Sequence, residues 1–470
     1  MRTKIYFDEG AKGFLILFLL GQLLFTNGIL LFFGMIIFFV LFNNLQQPFK
    51  PAIFTIILFY HFLQISAGVW QSNNLGKTIN YRSDNTTYAI LFSFVGLLFI
   101  FLPVIYYQNK IPKLSLAQLK KSADVLSIDK TFRVYAIGFF ITNALAGVAF
   151  LIPSITQIIF SFVKIKWFLF LLFGFQCVLK KRKLKEFYFF CFLEFSLGFF
   201  SYFSEFKTVV FYIFILLLSF LSVIRFNKLL ITVVGFIFIF FTGVFWTSIK
   251  GEYRLFLNKG SKTQSVQVEK EDAFNKLLEL SEKQNENSFT SATESFLDRL
   301  QYTYHLAKAM DRVPSVIPYQ YGANWGKSLL FVLTPRILNP GKGVFDASTK
   351  ATKYTGIQYS GIRRGTSFSL GYFADGYVDF GYIGMFIPLL ILGFIYGKSY
   401  FYFVRKSSNN YIFNFAVVGS MYLEMIAMES DNIFIAGRLY VTLLVFFLLK
   451  IFLFPRLMNY IRMPIKTVQN

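Results

Sequence analysis

The chain has 470 residues, 55% hydrophobic and 15% charged, with a mean hydropathy of +0.55. A soluble domain carries about 25% charged residues; here the shortfall lies in long apolar runs, which excludes a soluble enzyme, a disordered chain and a fibre, and argues against a barrel of alternating strands. The formal charge of +23, from 47 basic and 24 acidic residues, reads as Lys and Arg held in the loops of a membrane protein and not as a nucleic-acid surface.

A helix crosses the hydrocarbon core with roughly 20 apolar residues. The first run, 14–42, is long enough for one helix or for two divided at Asn27-Gly28. It is too long for a signal-peptide core and has no small-residue cleavage site. Further spans are expected at 51–70, 88–107, 133–151, 159–179, 187–204, 208–224, 229–247, 378–397, 411–428 and 434–455. Lys164 and Lys166 fall inside the candidate at 159–179, so that helix either starts later or is re-entrant. Glu194 lies mid-helix and is expected to hydrogen-bond inside the bundle. Cys177 and Cys191 sit in or beside apolar helices and give no disulfide framework. His61 and His305 are far apart and fit no metal-ligand spacing, so neither a metal nor a cofactor is expected.

Short loops rich in Lys and Arg stay in the cytoplasm. The loop 108–132, the run Lys180-Lys-Arg-Lys-Leu-Lys-Glu186, Arg225 with Lys228, Lys398 with Arg405 and Lys406, and the tail all fall on one side if the helices alternate. Arg2, Lys4 and Lys12 belong to that side too, which favours about 12 helices and cytoplasmic termini. The expected fold class is therefore all-α: a polytopic transmembrane helical bundle with one large, partly helical extracytoplasmic loop. The expected divisions are 1–247 (membrane helices), 248–376 (the loop) and 377–470 (three more membrane helices).

The loop has two halves. Residues 251–298 carry 6 basic and 9 acidic residues, and Glu269 to Lys283 reads as an amphipathic helix with Phe274, Leu277, Leu278 and Leu280 as its apolar set. Residues 299–376 carry 10 basic and 3 acidic residues with many Tyr, Gly and Pro. Ser291-Ala-Thr-Glu294 has capping-box spacing, which predicts a helix from there to about Met310. A basic, aromatic cap suits a ligand with phosphate and sugar: Arg binds phosphate oxygens in pairs, and Tyr and Trp faces stack on sugar rings.

The second half also contains recognisable wording. Arg299-Leu300 is followed by Asp311-Arg-Val-Pro314, Pro318-Tyr-Gln-Tyr-Gly322 and Thr334-Pro335-Arg336-Ile-Leu-Asn-Pro340-Gly-Lys342. Gly371-Tyr-Phe-Ala-Asp375-Gly-Tyr-Val-Asp379-Phe-Gly381-Tyr-Ile-Gly384 then leads into a span. This resembles the bacterial O-antigen and oligosaccharide repeat-unit polymerases, the Wzy type, at residue level over about 296–397 and in layout over the whole chain. One departure is Gly343 after Lys342, where the family's element often has Pro. The resemblance implies a glycosyltransferase of the inner membrane that uses no nucleotide sugar. It would join repeat units carried on undecaprenyl pyrophosphate at the outer face, into O-antigen or a related polysaccharide, with a flippase and a chain-length regulator as partners.

A leaving pyrophosphate gains charge, so fixed cations should lie against it. Arg299 and Arg336 are the first expected catalytic residues. Lys342, Arg363 and Arg364 follow as substrate-binding residues, then Arg254, which is equally readable as a lipid-interface anchor. Glu205 and Lys207 lie in a short outer turn, and Glu429 and Asp431 in the last one. Asp375 and Asp379 lie at the entry of the tenth helix; Asp379 reads equally as a helix cap or a catalytic base. His305 is a lesser candidate for the base. The competing readings are an O-antigen ligase and a flippase or transporter of lipid-linked oligosaccharide.

Overall fold

In lipid every backbone polar group must be paired within the chain, so apolar runs of this length become helices. The computed structural model describes the chain apart from residues 1–4, 149–155, 200–205, 262–265, 335–338, 340, 344, 360–366, 426 and 465–470. It is all-α, with 20 α-helices and one pair of two-residue strands among the described residues.

β1 (Tyr6–Phe7) leads into α1 (Glu9–Gly21), α2 (Gly28–Leu45), α3 (Ile53–Asn74), α4 (Thr86–Asn109), the short α5 (Leu116–Asp124), α6 (Ile128–Val148), α7 (Thr156–Lys180), α8 (Leu184–Phe199) and α9 (Phe206–Ser219). After β2 (Val223–Ile224) comes α10 (Phe226–Leu257). The polar segment folds as α11 (Lys270–Glu282), α12 (Glu286–Leu300), α13 (Thr303–Arg312), α14 (Ala323–Leu333), α15 (Ala347–Thr355) and α16 (Tyr372–Gly384). The chain continues with α17 (Phe386–Lys406), α18 (Tyr411–Met421), α19 (Asn432–Phe452) and α20 (Phe454–Ile461). Seven helices are long and apolar enough to cross a membrane: α2, α3, α4, α7 from Phe162, α10, α17 and α19. They mark a multi-pass membrane protein.

Close backbone approach holds the centre together. Gly393 and Gly397 of α17 lie one turn apart against α4, where an added Cβ would come within 2.4 Å of the Ile100 carbonyl and 2.8 Å of the Pro103 carbonyl. Small residues spaced by four are how membrane helices pack without a hydrophobic driving force.

Several expectations are refined. The first apolar run does divide at Asn27-Gly28. There the Asn27 side chain donates to Asn73 Oδ1 and the Lys77 carbonyl, both at 3.0 Å, and accepts from Ile79 N at 3.1 Å. α7 runs from Thr156 through both lysines, and its candidate membrane span begins later, at Phe162. Lys166 pairs with Glu194 at 2.9 Å, which places Glu194 in the bundle as expected. Lys164 lies 3.4 Å from Glu424 and donates to Thr442 Oγ1 at 2.9 Å. The expected helix at 269–283 is α11, which buries Ala273 and Leu280 against Trp246, Ile249, Tyr253 and Leu257 of α10, while Phe274 and Leu278 stay exposed.

The helix expected from Ser291 to Met310 is two helices. α12 starts earlier, because Asn285 and Ser288 form a reciprocal capping box, and it stops at Leu300, where Gln301 turns to bond Gln71 and Asp298. The span expected from 378 starts at Phe386: Gly381 (φ 73, ψ −166) breaks the helix, and α16 before it is buried. That backbone conformation belongs to glycine.

The connections gather at two ends. At the first, β1 pairs in parallel with β2, Lys50 donates to the Gln108 and Ile111 carbonyls, Ser122 bonds Asn410, Lys180 donates to the Leu126 carbonyl, and Leu126 bridges Arg462. The Lys- and Arg-rich loops and both described chain ends lie here. At the second, the α3–α4 loop meets α12 and α13 through Arg82–Asp298 and Ser83–Asp311. This second end carries the cap.

Candidate functional site

The break after α12 builds the site. Asp298 accepts from Arg82 at 2.6 Å, Gln71 at 2.9 Å and Gln301 at 2.8 Å, which pins the end of α12 to the tops of α3 and α4. Arg299, in that last turn, is exposed, and no carboxylate pairs with it among the described residues. Tyr302 turns the other way, into the bundle. Its ring lies 4.8 Å from that of His305, and a Cβ on Gly371 would meet it at 3.0 Å. Burial, then the nearby Glu429 and Asp431 carboxylates, hold the Tyr302 phenol well above its ordinary range, against the opposing pull of Arg299.

Glu429 is half-buried. Tyr60 donates to its Oε1 at 2.8 Å and Gln64 to its Oε2 at 2.5 Å. Tyr60 and Gln64 lie one turn apart on α3. On the same helix His61 bonds the Ile57 carbonyl through Nδ1 at 3.0 Å and Tyr372 Oη through Nε2 at 2.7 Å. A carbonyl only accepts, so Nδ1 carries the proton and Nε2 accepts from Tyr372. On α13 His305 Nδ1 meets Tyr359 Oη at 2.8 Å, and burial pulls the imidazole down to about 4, leaving it neutral at pH 7.

A buried polar knot adjoins these residues. Lys350 of α15 pairs with Asp375 of α16, lies 4.0 Å from Asp431 and donates to Asn432 Oδ1 at 3.0 Å. Asp375 accepts from Asn432 N at 2.7 Å, and Asp431 accepts from Leu370 N at 2.7 Å and Gly371 N at 3.1 Å. Burial alone lowers the Lys350 ammonium, but Asp375 and Asp431 outweigh it and raise it overall. Burial, then the Asp375 charge beside it, push the Asp431 carboxyl up to about 7. Two carboxylates share one ammonium in a dry place, so one of them is readily protonated.

The sequence-predicted residues divide accordingly. Arg299 is exposed at the end of α12, Glu429 is held by Tyr60 and Gln64 of α3, and Asp431 belongs to the buried knot. The Asp379 carboxylate accepts from Trp325 N at 3.0 Å and Asn324 Nδ2 at 2.7 Å, and so caps the first turn of α14. It is fully buried. Lys342 donates to the Phe331 carbonyl and to the Thr334 carbonyl at 2.8 Å, closing the other end of α14. Arg254 is half-buried near the end of α10, where that helix packs on α11. Lys207 is exposed in the first turn of α9. Glu205, Arg336, Arg363 and Arg364 lie outside the described residues. Tyr60, Gln64 and Lys350 were missed. The signal for the first two was a polar pair spaced by four inside an apolar run; Lys350 gave none.

The fold defines an all-α, multi-pass membrane protein whose polar segment folds as a helical cap over buried polar side chains. A family model described as a domain of unknown function (DUF8712) matches residues 117–399, more than half of the chain, and the protein belongs to that family. The match takes in Arg299, Asp375 and Asp379 but not Glu429 or Asp431. No curated protein and no solved structure matches the chain.

Proposed function

We propose that this protein is a Wzy-type polymerase: a glycosyltransferase that joins undecaprenyl-pyrophosphate-linked repeat units at the outer face of the inner membrane. The observation that carries this reading is the exposed Arg299, with no carboxylate partner among the described residues, at the end of α12 that Asp298 pins to the α3–α4 loop and to α3, the helix whose Tyr60 and Gln64 hold Glu429. An acceptor hydroxyl gives its proton to Glu429 as its oxygen attacks the donor's anomeric carbon. The bond from that carbon to the pyrophosphate oxygen breaks, and the electron pair leaves with the lipid pyrophosphate, whose charge Arg299 stabilises. Tyr60 and Gln64 hold Glu429 in place. Asp379 caps α14 in this scheme and moves no proton.

Sidedness supports the reading. The basic loops share one end of the bundle, and cytoplasmic Lys and Arg would put the cap outside. On this reading α1, α6, α8, α9 and α18 count as crossings beside the seven long apolar helices, twelve in all. A chain-length regulator and a flippase are natural partners for such an enzyme.

The test is the surface-glycan length profile of a deletion strain complemented with wild type, Arg299→Ala or Glu429→Gln at matched protein level. Single repeat units without a ladder, in the deletion and in both variants, support polymerisation. A ladder that persists in the deletion overturns it. The buried pair Lys166–Glu194 and the buried Lys164, which reaches the exposed Glu424, favour a second reading, movement of the lipid-linked units across the membrane, since charges inside a bundle often mark a pathway. In that case all surface glycan is lost. A ligase would lose it too, with lipid-linked polymer accumulating.

A further inference from the structure

The α3–α4 loop and the outer side of α13 enclose an open groove of about 500 Å³ that belongs to neither the Glu429 site nor the buried knot. Its lining is polar throughout. Asp311 accepts from Ser83 at 2.7 Å and Asn85 at 3.0 Å, and pairs with Lys308 at 3.0 Å, so these groups are fixed against one another. Arg82 is held by Asp298. Asp84 is exposed and has no partner among the described residues. The Tyr81 hydroxyl is buried beside the Arg82 guanidinium. Cations lie over its ring, Lys77 and Arg82 each 5.1 Å from the centroid.

The charges select the ligand. With the charges at its edge counted, Lys77, Arg82 and Lys308 balance Asp84, Asp298 and Asp311, so the groove attracts neither a polyanion nor a cation. No group of three metal-ligating side chains exists among the described residues. An apolar ligand finds no apolar wall. What remains is a neutral ligand that offers hydroxyls as both donors and acceptors to fixed amides, carboxylates and a guanidinium. We infer that this groove is a carbohydrate subsite. Arg82 bonds Asp298, the residue next to Arg299, so a glycan whose pyrophosphate end lies at Arg299 has its outer sugars beside the groove. The inference rests on the proposed function and assigns the sugar end of that substrate.

The experiment uses the full chain purified in detergent. The probe is the oligosaccharide released by mild acid from the host's own lipid-linked repeat units, and the readout is equilibrium binding by calorimetry. Asp84→Ala removes an exposed group with no partner among the described residues, so its melting temperature should match wild type while binding weakens about tenfold. Lys308→Ala should weaken it similarly, and Arg299→Ala should leave binding of this lipid-free probe unchanged. Equal binding by wild type, Asp84→Ala and Lys308→Ala overturns the subsite, as does displacement of the probe by inorganic pyrophosphate or no binding by wild type. The deletion strain's ladder reports separately on the polymerase reading, so failure of one is distinguishable from failure of the other.

Discussion

Arg299 matters because of what surrounds it. The neighbouring Asp298 already takes three donors, from Arg82, Gln71 and Gln301, so it is occupied while Arg299 faces outward. Arg299→Ala should cost about 100-fold in polymer formed, the loss typical of one donor aimed at developing charge. Arg299→Lys should recover only part of this, since an ammonium lacks the two-pronged geometry of a guanidinium. Melting temperatures should be unchanged in both, because the side chain is exposed and holds no other element. The buried knot should behave in the opposite way. Lys350→Met leaves Asp375 and Asp431 without their cation and should destabilise the protein by about 3–5 kcal/mol. Asp431 also sets a pH dependence. Its carboxyl is raised from the ordinary carboxylate range to about 7 by burial and by Asp375. A raised carboxyl favours the fold while protonated, so its contribution is complete below the ordinary range and is lost as the pH climbs through 7. Melting in detergent should occur at a higher temperature at pH 5.5 than at pH 8, and Asp431→Asn should flatten that difference.

At the level of elements, α14 tests whether Asp379 is a cap or a base. Its carboxylate occupies the first turn of α14, next to Gly322 at φ 87, and Lys342 closes the last turn. Asp379→Ala should lower stability by about 1–2 kcal/mol, the cost of a lost cap; Asp379→Asn, which keeps one acceptor oxygen, should lower it less and keep the glycan ladder. Loss of the ladder in both variants at unchanged melting temperature would return Asp379 to the chemistry. These local devices also show what could be read from the sequence. The spans, the division at Asn27-Gly28 and the amphipathic α11 follow from composition and period, which are local. The end of α12 at Leu300 does not, because it is fixed by Gln71, 230 positions from Gln301. The Ser291 capping signal lost to Asn285–Ser288, which starts the same helix a turn and a half earlier. Arg299 was legible as an arginine in a basic segment and Glu429 as an acid in a short turn. Tyr60 and Gln64 were hidden in an apolar run, and Lys350 showed its role only once α15 met α16 and the turn before α19.

The whole molecule carries its polarity in its loops. β1 against β2, Lys50 on Gln108, Ser122 on Asn410 and Leu126 on Arg462 gather the Lys-rich connections at one end. Arg82–Asp298 and Tyr60–Glu429 build the cap and the candidate site toward the other. Chemistry on lipid-linked glycans needs the cap on the face opposite the positive loops, and this can be measured without any knowledge of substrate. Cys177 and Cys191 are first replaced, since both are unpaired and neither is exposed. Single cysteines are then placed at the exposed positions Lys120 and Lys185 at the basic end, and at Asp84 and Thr349 near the cap. In intact cells a membrane-impermeant maleimide should label the Asp84 and Thr349 substitutions only; in inverted vesicles it should label Lys120 and Lys185 only. The reverse pattern would put the cap in the cytoplasm, where no undecaprenyl-linked polymer is assembled in this scheme, and the polymerase reading would fall with it. Labelling of all four from one side would mean that the two ends are not on opposite faces, and the span assignment itself would have to change.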